Sequence, residues 1–455
     1  MENLPKNWVE TDLDTVILRM TNGSGLKQED VHFQGSLPIS RIETIWNETI
    51  DLDRVKYVAA SEDDIKKYGL EKGDVLFSHI NSDKHLGKTA VFNLDKTIIH
   101  GINLLLLRAR PQFNGDLLNY ILRHYRFSGK FIEVAQRSVN QSSINQKKLK
   151  SFAVPLPPLA EQQRIVAKLD ELFSHLDTLK TRLNSIPQIL KKFKQALLTQ
   201  AVTGKLTEEW REGKDLGEWE NVILKDITIK IGSGSTPRGG SESYKNEGIP
   251  LVRSMNIRFN GIKLKGLAFI DEKQAERLKN VTIQENDILL NITGASIGRV
   301  CLAEKSIVGG RVNQHVTIIR LNEDNYSEYI NMYLASSLIQ NYIFIENYGV
   351  TRQALTKTQT QNLKINLPPK KEQTEIVRRV EALFVKADAI ETAYQNLKQQ
   401  IDSLPQAILA KAFKGELVAQ LPTDGDAKDL LKEIAALRAS LEKGKKSKKK
   451  QKVNA

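Results

Sequence analysis

At 455 residues the chain is long enough for two to four domains, and its apolar (40%) and charged (27%) fractions exclude a disordered or fibrous protein. No run approaches 18 uninterrupted apolar residues, which argues against a helical membrane span, and the single cysteine, Cys301, excludes an internal disulfide or a CxxC metal knuckle. The net charge of +13 gives little support for nucleic-acid binding by itself, because seven of those charges are Lys443, Lys445, Lys446, Lys448, Lys449, Lys450 and Lys452, beyond the last acid, Glu442.

The start, Met1 to Lys6, has neither the basic nor the apolar region of a signal peptide, so a cytoplasmic protein is expected. Residues 1–155 carry 21 basic and 19 acidic side chains and show short strand-like runs, Asp74–Phe77 and Ile102–Leu107, before a helix over Asp116–His124. One stretch is locally basic, with Arg123, Arg126, Lys130, Arg137, Lys147, Lys148 and Lys150 against Glu133; it is either a DNA-facing surface or a solvated helix face. Two polar loops, His79–Lys88 and Arg137–Ser142, suit nucleic acid, and Lys84, Lys88, Arg137, Asn140 and Gln141 are the candidate contacts. Gly87-Lys88-Thr89 has the ending of a phosphate loop, but Ser82 stands where its first glycine belongs.

Residues 156–206 carry apolar side chains in steps of four and three: Ile165, Leu169, Leu172, Leu176, Leu179, Leu183, Ile186, Leu190, Phe193 and Leu197. This spacing is a coiled-coil seam, opened by Pro157-Pro158 and closed by Gly204, with a kink or break expected at Pro187. A linker, 207–218, leads to a second domain, 219–366, with 18 basic and 15 acidic residues over 218–366, strand-like runs at Asp287–Leu290 and Val316–Ile319, and a helix over Ser327–Leu338. Its polar loops supply Ser235, Arg238, Arg253, Asn256, Arg258, Arg299, Arg311, Asn313 and Arg352 as candidate DNA contacts, since arginine matches the guanine edge and asparagine the adenine edge. Catalytic patterns fail in detail. Pro237 replaces the third glycine of a dinucleotide loop after Gly232-Ser233-Gly234, Leu367 disrupts an Asn-Pro-Pro motif at Asn366, and the seven histidines never fall at metal-ligand spacing. Residues 367–418 repeat the heptad pattern with Ile376, Val380, Leu383, Ala387, Ile390, Tyr394, Leu397, Ile401, Leu404 and Ile408, again with an internal proline, Pro405. Residues 419–455 read as a helical segment followed by a lysine-rich disordered tail.

Residues 157–206 and 368–417 align without a gap, with 16 identities in 50 positions, and the same offset pairs Trp8 with Trp219 and Leu13 with Leu224. The chain is therefore one unit written twice, a variable α+β domain followed by a heptad rod. The rods are expected to pair with each other, antiparallel about a pseudo-two-fold axis, or alternatively with another chain. Forty-odd residues at about 1.5 Å each would hold the two domains roughly 60 Å apart.

The motifs Leu156-Pro157-Pro158-Leu159-Ala160-Glu161-Gln162 and Leu367-Pro368-Pro369-Lys370-Lys371-Glu372-Gln373, with Gly204-Lys205-Leu206 and Gly415-Glu416-Leu417 closing the rods, resemble the specificity subunit of Type I restriction-modification systems. The resemblance covers essentially the whole chain. It implies two target-recognition domains that each read half of a bipartite site in double-stranded DNA, with a coiled coil that sets the spacer and docks two modification subunits. Restriction subunits would join that core. S-adenosylmethionine, ATP and Mg would be bound by those partners, leaving this chain without catalysis or cofactor. A coiled-coil scaffold with no DNA role, and a stand-alone DNA methyltransferase or nuclease, are the competing readings.

Overall fold

The computed structural model describes residues 4–139, 141–322, 326–346 and 353–453, with backbone alone for Ser241 and 441–453. The chain forms two compact units, Met1–Arg182 with Leu397–Ala455, and Leu183–Asn396. Packing divides each long helix between the two units.

In the first unit β1 (Val9–Asp12) is followed by β2 (Ile17–Asn22), β3 (Asp74–Phe77), β4 (Ile80–Asn81), β5 (Thr89–Phe92) and β6 (Leu105–Ala109). After these come α1 (Gly115–Phe127), β7 (Gln136–Ser138), β8 (Gln141–Ser143), β9 (Ala153–Leu156) and the first turns of α2 (Leu159–Val202). A four-stranded antiparallel sheet in the order β2-β6-β3-β5 forms the centre, and its strands read as near-continuous apolar runs because both faces are covered. One face packs on α1, whose Leu117, Leu118, Ile121 and Leu122 are buried against Val75, Phe77, Leu105 and Leu107. β1 pairs with β9, the strand that runs straight into Pro157-Pro158 and α2.

The second unit repeats this frame. β10 (Glu220–Ile223), β11 (Thr228–Ser233), β12 (Ile288–Asn291), β13 (Val300–Leu302), β14 (Val316–Leu321), α3 (Ser327–Ala335) and β15 (Lys364–Leu367) lead into α4 (Lys370–Phe413). The sheet order is β11-β14-β12-β13, and β10 pairs with β15 as β1 pairs with β9. Each central sheet holds an aspartate with no exposure, clamped by an arginine of the neighbouring strand. Arg108 donates to both oxygens of Asp74 at 2.7 and 2.8 Å, and Arg320 does the same to Asp287 at 2.7 and 2.8 Å.

Both rods are single helices of 44 residues that run through Pro187 and Pro405, so of the kink or break expected there the break does not occur. Proline removes one amide bond and strains one turn, and packing along the rest of a long helix outweighs that local cost. In the first unit the start of α2 (Ile165, Val166, Leu169) packs with the end of α4 (Leu409, Ala412, Phe413). In the second unit the end of α2 (Leu197, Leu198, Ala201, Val202) packs with the start of α4 (Ile376, Val377, Val380). Start against end is the antiparallel pairing.

The seam is narrower than the heptads suggest. Leu169, Leu176, Leu183, Leu190 and Leu197 are buried, as are Val380, Ala387, Tyr394 and Ile401, one residue per heptad on each helix. The alternate row departs from the expectation: Leu172, Ile186 and Leu383 are half-buried, while Leu179 (47% exposed), Phe193, Ile390 (51%), Leu397 (45%) and Leu404 face solvent. A contact between two helices covers one stripe, and the second row of each helix lies on its flank.

After α4, Gly415 adopts φ +76°, and a Cβ there would stand 2.2 Å from Cγ of Pro5, so this turn accepts only glycine. A final helix, α5 (Ala427–Val453), packs Ala427, Leu430, Leu431 and Ile434 on the first unit. Arg438 pairs with Asp14 at 2.9 Å, and the Ala427 amide donates to the carbonyl of Asn7. The helix runs on through 441–453.

Candidate nucleic-acid interface

The Pro-Pro-x-x-Glu-Gln motifs fasten each domain to its rod. Glu161 and Glu372 have no exposure. Glu161 accepts from the Trp8 indole at 2.9 Å, from Asn7 at 3.3 Å and from Gln420 at 3.1 Å. Glu372 accepts from the Trp219 indole at 2.9 Å and Thr207 at 2.7 Å and pairs with Arg211 at 3.2 Å. The neighbouring glutamines are equally matched: Gln162 donates to the Pro157 carbonyl and accepts from the Asn114 amide, both at 2.9 Å. Gln373 donates to the Pro368 carbonyl at 2.9 Å and accepts from the Tyr326 amide at 3.2 Å. Each carboxylate thus ties together the strand that opens a domain, the helix that leaves it and the turn after the other helix. Neither is placed for chemistry.

The loops carry different side chains in the two units. In the first, β7, β8 and β4 form a small antiparallel sheet in the order β7-β8-β4. Lys84 is exposed and Lys88 half-buried in the loop between β4 and β5, and Arg137 and Gln141 are exposed on β7 and β8. Asn140 lies outside the described residues. The buried Ser142 hydroxyl donates to Asp83 and pins β8 to the lysine-bearing loop. Burial, and then Lys88, Lys84 and Arg126, push the His85 pKa down; burial, Arg126 and Lys84 do the same for Lys88. Burial is the larger cause of both shifts, and the cations Lys84, Lys88 and Arg126 add a local positive field to it. The adjoining basic stretch is partly consumed internally: Arg123 and Arg126 both pair with Glu48, and Lys150 pairs with Asp14 at 3.0 Å.

In the second unit Ser235 and Arg238 line a cleft of about 420 Å³ with Thr236, Pro237, Gln274 and Arg277. Thr236 donates to the exposed Gln314 at 2.5 Å, joining this loop to the one after Arg311. The crossing is tight, since a Cβ on Gly234 would lie 1.8 Å from the Val312 carbonyl. Arg253 is half-buried, donating to the Gly266 carbonyl at 2.8 Å with its guanidinium 5.1 Å from the Tyr244 ring centre. Arg258 is half-buried on the Ile257 carbonyl, and Arg299 is half-buried in the turn before β13.

Three candidates prove to be framework. Asn256 is buried, accepting from the Arg253 amide and donating to the Lys263 carbonyl. Buried Arg311 spends its guanidinium on the carbonyls of Ala275, Gly309 and Gly310, at 3.0, 2.5 and 3.1 Å. Asn313 is buried and accepts from the His315 amide. Polar side chains in glycine-rich loops satisfy loop backbone as readily as they reach outward. Arg352 lies outside the described residues. Gln136, Gln274, Arg277 and Gln314 are exposed or cleft-lining residues that the sequence reading did not single out, because isolated polar side chains carry no spacing signal.

No group of three or more histidine, cysteine or carboxylate side chains able to hold a metal occurs among the described residues. None of the helices described is long and apolar enough to cross a membrane.

Two segments, 5–188 and 217–399, match the family model described as Type I restriction modification DNA specificity domain. The chain belongs to this family. It is 30% identical over 465 residues to the EcoKI specificity subunit of Escherichia coli K12, covering 96% of this chain and 97% of the relative. With the EcoBI specificity subunit of Escherichia coli the identity is 34% over 331 residues, or 67% of this chain and 68% of the relative. The fold resembles a chain solved in work on complex assembly and conformational transition of the type I R-M system (TM-score 0.67, 20% identity, 91% of this chain and 100% of the other). The two matched segments of the specificity family each span one variable domain and the first part of the helix that follows it.

Proposed function

We propose that the domains within residues 1–155 and 219–366 each read one half of a bipartite site in double-stranded DNA. The chain is the sequence-specificity subunit of a Type I restriction-modification system and a non-catalytic part of it. The observation that carries this reading is a duplicated frame bearing unlike loops. The Glu–Trp, Gln–Pro and Asp–Arg contacts recur in both units, as do the backbone bonds that close the loop at Lys88 and at Arg299, while the side chains those loops carry differ, Lys84 and His85 in the first unit against Ala295 and Ser296 in the second. A repeated scaffold with independent reading surfaces suits a site of two unrelated halves.

The helices α2 and α4, residues 156–206 and 367–418 with their flanking turns, set the spacer, and their flanks dock two modification subunits. Each helix bears an apolar row that its partner helix leaves uncovered, Leu179, Leu397 and Leu404 in the first unit and Phe193 and Ile390 in the second. Restriction subunits join the same core. S-adenosylmethionine, ATP and Mg belong to those partners, and the reaction site lies in the cytoplasm.

Long-read mapping of methylated adenines, in cells carrying this gene with its neighbouring modification gene and in a deletion of it, tests the reading. A split motif methylated on both strands and lost with the deletion is expected. Gene-independent methylation, with the partner intact and expressed, would leave a coiled-coil scaffold as the better account.

A further inference from the structure

The strand β7 is an anomaly by the rules of sheet formation. An antiparallel strand ordinarily buries one face, yet Gln136, Arg137 and Ser138 are all exposed. Among the described residues β7 pairs with β8 (Gln136↔Ser143, Arg137↔Ser142, Ser138↔Gln141), and β8 is held by β4 and by the Ser142–Asp83 hydrogen bond. No apolar core beneath the ribbon accounts for it. Val139, at its tip, is 90% exposed.

We infer that the β7–β8 ribbon is the base-reading element of the first domain, entering the major groove. This inference rests on the DNA-reading role proposed above. A two-stranded ribbon fits a groove about 12 Å wide. Side chains alternate across a strand, and the register therefore puts Gln136, Ser138 and Gln141 on one face. The same register aligns Gln136 and Ser143 with Ile80 of β4, whose side chain is 37% exposed. Arg137 stands on the other face, opposite Ser142. Beside the ribbon lies a cleft of about 330 Å³ lined by Ile42, Ile80, Asn81, Ser82, Asn103 and Gln141, wide enough to receive a base edge. Glutamine can bridge the two major-groove groups of adenine, and an apolar side chain can meet the thymine methyl. The face therefore suits A·T pairs. Lys84 and Lys88, on the loop that Ser142 pins, sit where phosphates would flank the ribbon, in the positive field already described.

The test uses the full chain co-expressed with its modification subunit and read by methylation mapping. Gln136→Ala with Gln141→Ala should relax one or two A·T positions of one half-site, a loss of discrimination of about 5- to 100-fold. The other half-site and the spacer should stay unchanged, which also reports that the variant folds. Should truncation abolish methylation altogether, Gln141→Arg decides: a shift from adenine toward guanine at one position supports the ribbon, and an unaltered motif overturns it. Lys84→Ala with Lys88→Ala should weaken binding of the purified complex alike at all sequences and lower the salt slope by about one to two. Unchanged half-sites in every glutamine variant, with the wild-type motif split as expected, would overturn the ribbon while leaving the bipartite reading intact. A wild type that methylates no split motif would instead remove the reading on which the ribbon rests.

Discussion

Truncating Glu372 to alanine removes the acceptor for the Trp219 indole at 2.9 Å and for Thr207 at 2.7 Å, and the partner of Arg211 at 3.2 Å. Thr207 has no exposure and is left with only a long bond to the Gly204 carbonyl at 3.4 Å, whereas Arg211 and Trp219 are partly exposed and recover some hydration. Hydrogen bonds to a charged group contribute about 1.5–3 kcal/mol each, and breaking a buried ionic contact costs about 3–5 kcal/mol, so the discounted sum is about 4 kcal/mol. For a unit of roughly 200 residues a loss of 1 kcal/mol lowers the melting temperature by about 2–4 °C, which gives a fall of about 8–16 °C. Glu372→Gln preserves the shape and one good acceptor and should lose about half as much. Hydrogen-exchange mass spectrometry on the whole chain localises the effect. Amides of β10, β15 and the first turns of α4 should lose protection, while those of β1 and β9 keep theirs. A destabilisation below about 1 kcal/mol, or equal loss in both units, would refute the view that each buried glutamate fastens its own domain to its rod.

Three further outcomes are expected. Burial pushes the His100 pKa down from 6.5 to about 4, so the unfolded chain takes up that proton first as pH falls. Its contribution is complete above pH 6.5 and declines between 6.5 and 4, by about 2 kcal/mol at pH 5; urea titrations at pH 7, 6 and 5 should show this slope, and His100→Gln should flatten it. Burial tends to raise the Asp14 pKa, but Lys150 and Arg438 outweigh it and hold the carboxyl below 3.8. The Asp14–Arg438 tie therefore persists at neutral pH and is lost only as pH falls below about 3.8; Arg438→Ala should raise exchange in α5 at pH 7 and leave β2, β3 and β6 protected. Deleting one heptad from each rod, 176–182 and 387–393, should alter the spacer in the methylated motif with both half-sites retained, and altered half-site sequences would contradict the ruler role.

The frame was largely legible because it is repeated and periodic. Alignment of Glu161 with Glu372 and of Trp8 with Trp219 identified as equivalent the residues that turn out to share a hydrogen bond in each unit. Heptad spacing located both long helices, and the strand runs Asp74–Phe77 and Val316–Ile319 fell in the central sheets. A break at either proline was not needed, because the local cost of proline says nothing of the packing along forty other residues. The reading surface was the least legible part. Composition cannot tell an arginine aimed at solvent from Arg311, whose guanidinium closes a loop on three carbonyls, nor mark Gln136 as a member of a strand that buries nothing.

The uncovered heptad row follows from the same arithmetic. Two antiparallel helices need only one buried residue per seven on each to form their contact, as Leu183, Leu190 and Leu197 with Val380, Ala387 and Tyr394 do in the second unit. A chain needing no more than a rigid spacer would place polar residues at the alternate positions, since exposed leucine and isoleucine there add nothing to the pair and favour aggregation. Leu179, Ile390, Leu397 and Leu404 instead keep a full apolar heptad row at solvent. The seam that signalled a coiled coil in the sequence is thus two surfaces, one satisfied within the chain and one left at solvent, where the proposed docking of modification subunits would cover it. Replacing Leu179 and Ile390 with glutamate should accordingly abolish co-purification of the modification subunit while leaving the melting temperature within about 3 °C of the wild type, given that exposed positions contribute within about 0.5 kcal/mol each. A large loss of stability with the partner still bound would assign that row to the core of the coiled coil.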